Sequence, residues 1–156
     1  MTLRKLFKRP PDKLIDGANG GIYLRRWHVI PRNRFFNIYL HHFLQSDDDR
    51  ALHDHPWWSL GMILSKQGYI EVLPHPKWPI TMRHIYRRRF RPVLRRPTHA
   101  HRIQLIGHYN NTPKPVWTLF ITGPRLREWG FLCPKRWVHW SHFTDENGKR
   151  AGRGCE

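Results

Sequence analysis

Through most of this chain, apolar and polar residues alternate with the period of extended structure. Residues 22–28 (Ile-Tyr-Leu-Arg-Arg-Trp-His) predict a strand that Pro31 brings to an end. Residues 34–44 are rich in aromatic and β-branched side chains and predict a long strand. Within it His41 and His42 are adjacent, so they face opposite sides of any sheet. Residues 57–64 are too apolar for a half-exposed strand, Gly68 marks a turn, and residues 69–73 alternate into the next strand. Pro74, Pro76 and Pro79 predict a loop, residues 80–86 a weaker strand, and the arginine-rich stretch 87–91 a basic edge or turn. Residues 101–107 predict a strand on which Ile103 and Leu105 share the face of His101. A turn cluster at 110–115 precedes the strongest strand signal, residues 116–122, which Gly123-Pro124 closes. Residues 128–133 and 137–143 complete the pattern.

About nine short strands separated by turn signals, with no convincing long helix, predict a single all-β domain built as a sandwich or barrel. The barrel is expected over residues 21–144. A basic arm at 1–20, partly disordered and with at most one helical turn, precedes it, and a flexible Gly- and charge-rich tail at 145–156 follows.

Composition narrows the class. A chain of 156 residues is large enough for one core without covalent staples. It carries 28 Lys and Arg against 11 Asp and Glu, a formal charge of +17, which favours polyanionic partners such as nucleic acid or phosphorylated small molecules. Arginine dominates the basic set, and its planar fork matches carboxylate and phosphate groups. Cys133 and Cys155 form no Cys-x-x-Cys pair, which disfavours a zinc finger, and nothing calls for a disulfide. The basic start lacks the apolar centre of a signal peptide, and no apolar run is long enough to span a bilayer. A soluble, cytoplasmic protein with no membrane partner is expected.

Candidate chemistry gathers at two histidine clusters. Ahead of the strand at 57–64, behind the acidic run Asp47-Asp48-Asp49, stand His53-Asp54-His55. In extended chain the two imidazoles share a face and can hold one transition metal. A second pair, His99 and His101, opens the later strand. With 12 histidines present, about one such pair arises by chance, so the plain alternative is polar loop residues in a His-rich chain. The position of each pair at the start of a β-rich segment favours inward ligands.

At these clusters the chain resembles the cupin superfamily. His53 and His55 match the paired histidines of the first cupin motif, Gly68 falls close to its closing glycine, and His101 suits the second-motif histidine. More narrowly, the stretch from Tyr23 to Phe143 resembles small cupin-like proteins of phage and prophage genomes. Residues 32–40, 51–57 and 117–124 carry that likeness. It implies a single-domain double-stranded β-helix, or jelly-roll barrel, and a host-cytoplasm location if the protein is phage-encoded. The chain departs from the pattern where the first-motif glutamate is expected: Ser59 and Leu60 stand there, and Thr98 and Leu105 stand near the second motif's glycine and asparagine. A three-histidine metal set of His53, His55 and His101 follows, with His99 as a fourth ligand, an outer hydrogen-bond donor or a wall.

The resemblance implies a divalent transition metal, iron first, with zinc and nickel as alternatives. The reaction expected is dioxygenase-like oxygenation of a small anionic substrate. Arg83, Arg102 and Arg125 are unranked candidates to anchor the anion. Glu71 is a candidate base or extra ligand, its plainer reading being an exposed strand carboxylate. Asp49 and Asp54 either orient histidines or cap loops, capping being preferred for Asp54. Three rival classes remain: a non-catalytic metal-binding or structural phage protein, a nucleic-acid binder using its basic arm, and a metal-free sugar-nucleotide isomerase. Edge strands also make a homodimer an open expectation.

Overall fold

A computed structural model describes residues 9–17, 20–47, 51–76, 81–107, 112–144 and 152–156. Its strands, in chain order, are β1 (Lys13–Asp16), β2 (Ile22–His28), β3 (Asn37–Phe43), β4 (Leu52–His53), β5 (Ser59–Ile63) and β6 (Tyr69–Pro74). They continue as β7 (Met82–Arg87), β8 (Val93–Arg95), β9 (Arg102–Leu105), β10 (Val116–Thr122), β11 (Gly130–Leu132) and β12 (Trp137–His139). One short helix, α1 (Trp140–Phe143), follows.

Six strands form one sheet in the order β1-β2-β3-β10-β5-β8, every neighbouring pair antiparallel. Two smaller sheets, β12-β11-β4 and β7-β6-β9, make the opposite wall. Among the described residues a bridge between His53 and His101 joins these two. His53 N–H donates to His101 O at 3.0 Å, and His101 N–H donates to His53 O at 2.9 Å. The joint aligns β4 with the start of β9, so the second wall runs β12-β11-β4-β9-β6-β7 facing the first. That is the all-β double-stranded β-helix expected from the alternation and the cupin resemblance together.

Period-two alternation sorts the side chains of the large sheet. Registers place Leu24 beside Phe43, Arg26 beside His41 and Thr118 beside His41 on its other flank, all on the inner face. The intervening positions face outward, where Trp27 packs on Trp117 and His42 stacks on Trp117 at 4.0 Å. One end of the interior is filled by Leu24, Phe43, Ile63, Tyr69, Ile103, Leu105 and Val116, drawn from both walls. Gly68 sits where a Cβ would lie 1.9 Å from Arg87 O, so the β6–β7 crossing admits only glycine there.

Several expectations are corrected. Lys13–Asp16, expected within an arm with at most a helical turn, is an edge strand paired to β2. Val93–Arg95, which carried no strand expectation, extends the sheet beyond β5. The strand expected over 137–143 stops at His139 and turns into α1, capped by the His139 side chain. Cys133 and Cys155 form a disulfide, and Gly154 N–H donates to Phe143 O at 3.1 Å, so residues 152–156 are anchored rather than free. Residues 1–8 of the arm, Asp48, Asp49, Ile80, residues 110 and 111 and most of the tail lie outside the described residues. Among the described residues no helix is long and apolar enough to cross a membrane.

Candidate metal centre

The joint between the two small sheets is also where three histidines converge. Residues that exchange both backbone hydrogen bonds across antiparallel strands hold their side chains side by side on one face. His53 and His101 are such a pair, and their rings lie 5.1 Å apart. His55 follows two residues later, just beyond β4, with its N–H donated to Pro97 O at 3.2 Å. Its ring returns to the same face, 5.2 Å from both His53 and His101. One ring nitrogen from each of the three lies within 4.8 Å of the others.

Hydrogen-bond partners fix which nitrogen of His101 is available. His101 Nδ1 lies 2.8 Å from Glu71 Oε1, and a carboxylate can only accept, so Nδ1 carries the proton and Nε2 presents a lone pair. That Nε2 lies 2.9 Å from His55 Nε2. Two imidazole nitrogens each about 2.1 Å from one cation, at roughly right angles, would be about 3.0 Å apart. The donor set therefore fits a divalent transition metal: three imidazoles, one already fixed in its tautomer.

His55 and His101 are held neutral. Burial pushes the His101 pKa down to about 3, with Glu71 opposing and the His53 and Arg95 charges assisting. Burial, then the neighbouring His101, His53, Arg95 and Arg26, holds His55 well below the ordinary histidine value. Neutral imidazole is the form that binds metal.

Glu71 is fully buried at 0 % exposure, which corrects its plainer reading as an exposed carboxylate. Arg95 Nε donates to Oε1 at 2.6 Å and Arg87 Nε to Oε2 at 2.5 Å. Burial alone would raise its pKa, but the hydrogen bond from His101, the nearby His99 imidazole and the Arg95 charge outweigh that and hold it below the usual carboxylate range. With both oxygens engaged, Glu71 is poorly placed to take a proton. Gly61 leaves room for this arrangement, since a Cβ there would lie 2.8 Å from Arg95 Nη1.

The remaining candidates fall as follows. His99 Nε2 lies 3.5 Å from Glu71 Oε1, grouped with Glu71 and His101 rather than with His53 and His55. Asp54, expected at the surface or capping a loop, is buried: it accepts from Gly130 N–H at 2.8 Å and Trp137 Nε1 at 2.9 Å and pairs with Arg127. It ties the His-x-His segment to β11 and β12. Asp49 lies outside the described residues.

A cavity of about 450 Å³ opens beside the three histidines. Trp57, Phe120, Trp129 and Phe131 form apolar walls. None of Arg83, Arg102 and Arg125 lines it: Arg83 is exposed on β7, Arg125 pairs with Glu128 at the surface, and Arg102 follows His101 on the opposite face of its strand. The arginines that do line it are Arg26 and Arg95, and His41 lies beside the former. The signal was present in the pattern, because both Arg26 and His41 occupy the inward parity of otherwise apolar strands.

No protein-family model matches the chain, and no curated protein sequence matches it. Solved structures match in fold. An uncharacterized conserved protein with a double-stranded beta-helix domain from Klebsiella pneumoniae aligns at a TM-score of 0.52 and 12 % identity, over 85 % of this chain and 96 % of that one. Hydroxypropylphosphonic acid epoxidase from S. wedmorenis aligns at 0.50 and 9 % identity, over 73 % of this chain and 57 % of that one. The Fe(II) form of that epoxidase with an alternative substrate aligns at 0.53 and 9 % identity, covering 73 % of this chain and 58 % of that one. At such identities the likeness is one of fold. The structure neighbours are cupin-fold proteins, and this chain is a double-stranded β-helix with a His-rich candidate metal centre inside it.

Proposed function

We propose that His53, His55 and His101 hold a divalent metal, iron first, and that the protein is a dioxygenase-like enzyme acting on a small anionic molecule in the adjoining cavity. The observation that carries this reading is the convergence of three imidazoles, two of them with Nε2 atoms 2.9 Å apart. The Fe(II) form of the epoxidase, similar in fold, supports iron as the first metal to test. A metal on three imidazoles keeps open positions for water, dioxygen or substrate and polarises whatever occupies them.

The chain's own residues prepare that site. Glu71 accepts the His101 Nδ1 proton and so keeps Nε2 aimed inward, a carboxylate–histidine pairing of the kind that tunes metal ligands. Arg95 and Arg87 hold Glu71 in turn. Trp57, Phe120, Trp129 and Phe131 give the cavity apolar walls beside the histidines.

The test is metal content of the full chain without an affinity tag, loaded anaerobically with Fe(II), for wild type, His53→Ala and His101→Ala. Near-stoichiometric iron in the wild type and its loss in both variants is the expected result, followed by oxygen uptake when anionic candidates are screened. A wild type that retains no metal overturns the centre. A wild type that holds iron yet consumes no oxygen with any candidate leaves a metal-binding protein without this activity.

A further inference from the structure

We infer that Arg26, oriented by His41, is the anion-binding subsite of this cavity, built to take a carboxylate or phosphate group on a ligand whose remainder reaches the three histidines. The inference rests on the proposed reading of the cavity as a substrate site and supplies the residue that selects the substrate. Neither Arg26 nor His41 is among the site candidates that the sequence motifs suggest.

Arg26 lies on the inner face of β2, next to His41 on β3. Its Nε donates to His41 Nε2 at 2.9 Å, and its guanidinium carbon stands 4.9 Å from the Tyr39 ring centroid. A guanidinium has five N–H donors. One is used by His41; among the described residues no carboxylate or carbonyl takes the remaining four. The carboxylates that line the same cavity, Asp16 and Asp47, make no bond to it, and Asp47 instead accepts from Ile103 N–H at 2.7 Å. Burial lowers the Arg26 pKa, as expected of a desolvated cation with no anion beside it.

Contrast with Arg95 sharpens the point. Arg95 lines the same cavity but commits its donors to Glu71, Tyr69 and Val93 O. Arg26 is half-buried at the cavity wall; a cation drawn partly out of water without a counter-ion carries a cost that a ligand supplying the missing charge offsets. His41 is clamped in place, being 4 % exposed and packed between Tyr39 and Phe120. Because its Nε2 accepts from Arg26, its own proton sits on Nδ1, and the ring holds the guanidinium plane fixed. The free Nη edge then matches a two-oxygen acceptor in fork geometry. Lys13, opposite Arg26 in the β1–β2 register, lines the same cavity and adds a second positive charge.

The experiment uses chelator-treated full-length protein, so that no anion can be held by metal. Inorganic phosphate and acetate are titrated separately, reading tryptophan fluorescence from Trp57 and Trp129 at the cavity wall. Binding of either probe is expected, and Arg26→Gln should weaken it about 10–100-fold, the loss typical of a charge-assisted pair. Preference between the two probes assigns the ligand's acid group. In wild-type protein the better probe should also protect Arg26 from phenylglyoxal, located by peptide mass, a readout that needs no folded variant. Unchanged affinity in Arg26→Gln, absence of binding to wild type, or no protection of Arg26 overturns the subsite. Because no metal is present, these results stand apart from the iron-loading test, and either reading can fail alone.

Discussion

Replacing Glu71 with glutamine perturbs the point where packing and site chemistry meet. Arg95 is 2 % exposed, and Glu71 is its carboxylate partner. Glutamine keeps the volume but removes the charge, and its NH2 group must face at least one of three donors: Arg95 Nε, Arg87 Nε and His101 Nδ1. Removing one member of a buried ion pair typically costs about 3–5 kcal/mol, because the other charge is left uncompensated. Arg87 is 22 % exposed and recovers part of its solvation from water, so the cost is dominated by Arg95. For a domain of this length that corresponds to a fall in Tm of about 6–20 °C.

Urea titration of Glu71→Gln, with the wild-type m-value retained, measures the loss. The double variant Glu71→Met with Arg95→Met removes both charges and should recover most of the stability, since apolar pairs of similar volume commonly equal buried ion pairs. A second readout separates positioning from bulk. Loss of the carboxylate that orients His101 should weaken metal affinity of the folded variant about 10–100-fold. Stability of Glu71→Gln within about 0.5 kcal/mol of wild type, with unchanged metal affinity, would refute the reasoning.

Two other outcomes follow from the same geometry. His101 has a folded-state pKa of about 3 against an ordinary 6.5, and His41 and His55 are lowered as well. The unfolded chain therefore binds more protons below about pH 6.5, so stability is full above that value and falls as pH drops towards 3, by up to about 1.4 kcal/mol per pH unit for each histidine. The depressed Glu71 carboxyl adds loss in the same direction below its ordinary value of 4.5, and urea titrations across pH 4 to 8 showing flat stability would contradict both. Reduction of the Cys133–Cys155 bond, which closes a separation of 22 residues, should lower stability by about 3 kcal/mol, read as a lower Tm in dithiothreitol that a Cys155→Ser variant reproduces without reductant.

Sequence pattern located most of the strands because side-chain period and turn residues agreed. β2 and β10 match the expectation residue for residue, being long enough to show alternation and bounded by Pro31 and by Gly123-Pro124. β8 was illegible because three residues carry no period, and its order comes from pairing with β5. β1 likewise exists through its partner β2, not through its own exposed sequence. His53 and His55 were visible as a local spacing. That His101 meets them depends on the β4–β9 backbone joint, which the cupin resemblance anticipated and composition did not. The burial of Glu71 leaves no local signal, because the arginines that compensate it lie 16 and 24 residues away in the chain.

The polar interior itself argues for a site. Arg26, His41, Glu71, Arg95, His101 and Thr118 sit at inward positions of a barrel whose core cluster is apolar and aromatic. Stability does not explain that choice, since buried ionic groups rarely outperform apolar residues of equal volume and each must be matched by a partner. Most of that matching is internal: Glu71 is met by Arg95, Arg87 and His101, and His41 by Arg26. What remains points into one cavity from two sides, as imidazole nitrogens from one wall and a guanidinium edge from the other. An interior that leaves metal-type donors and a cation facing the same space is explained by a ligand with an acid group, held at one end by Arg26 and presented at the other to the three histidines.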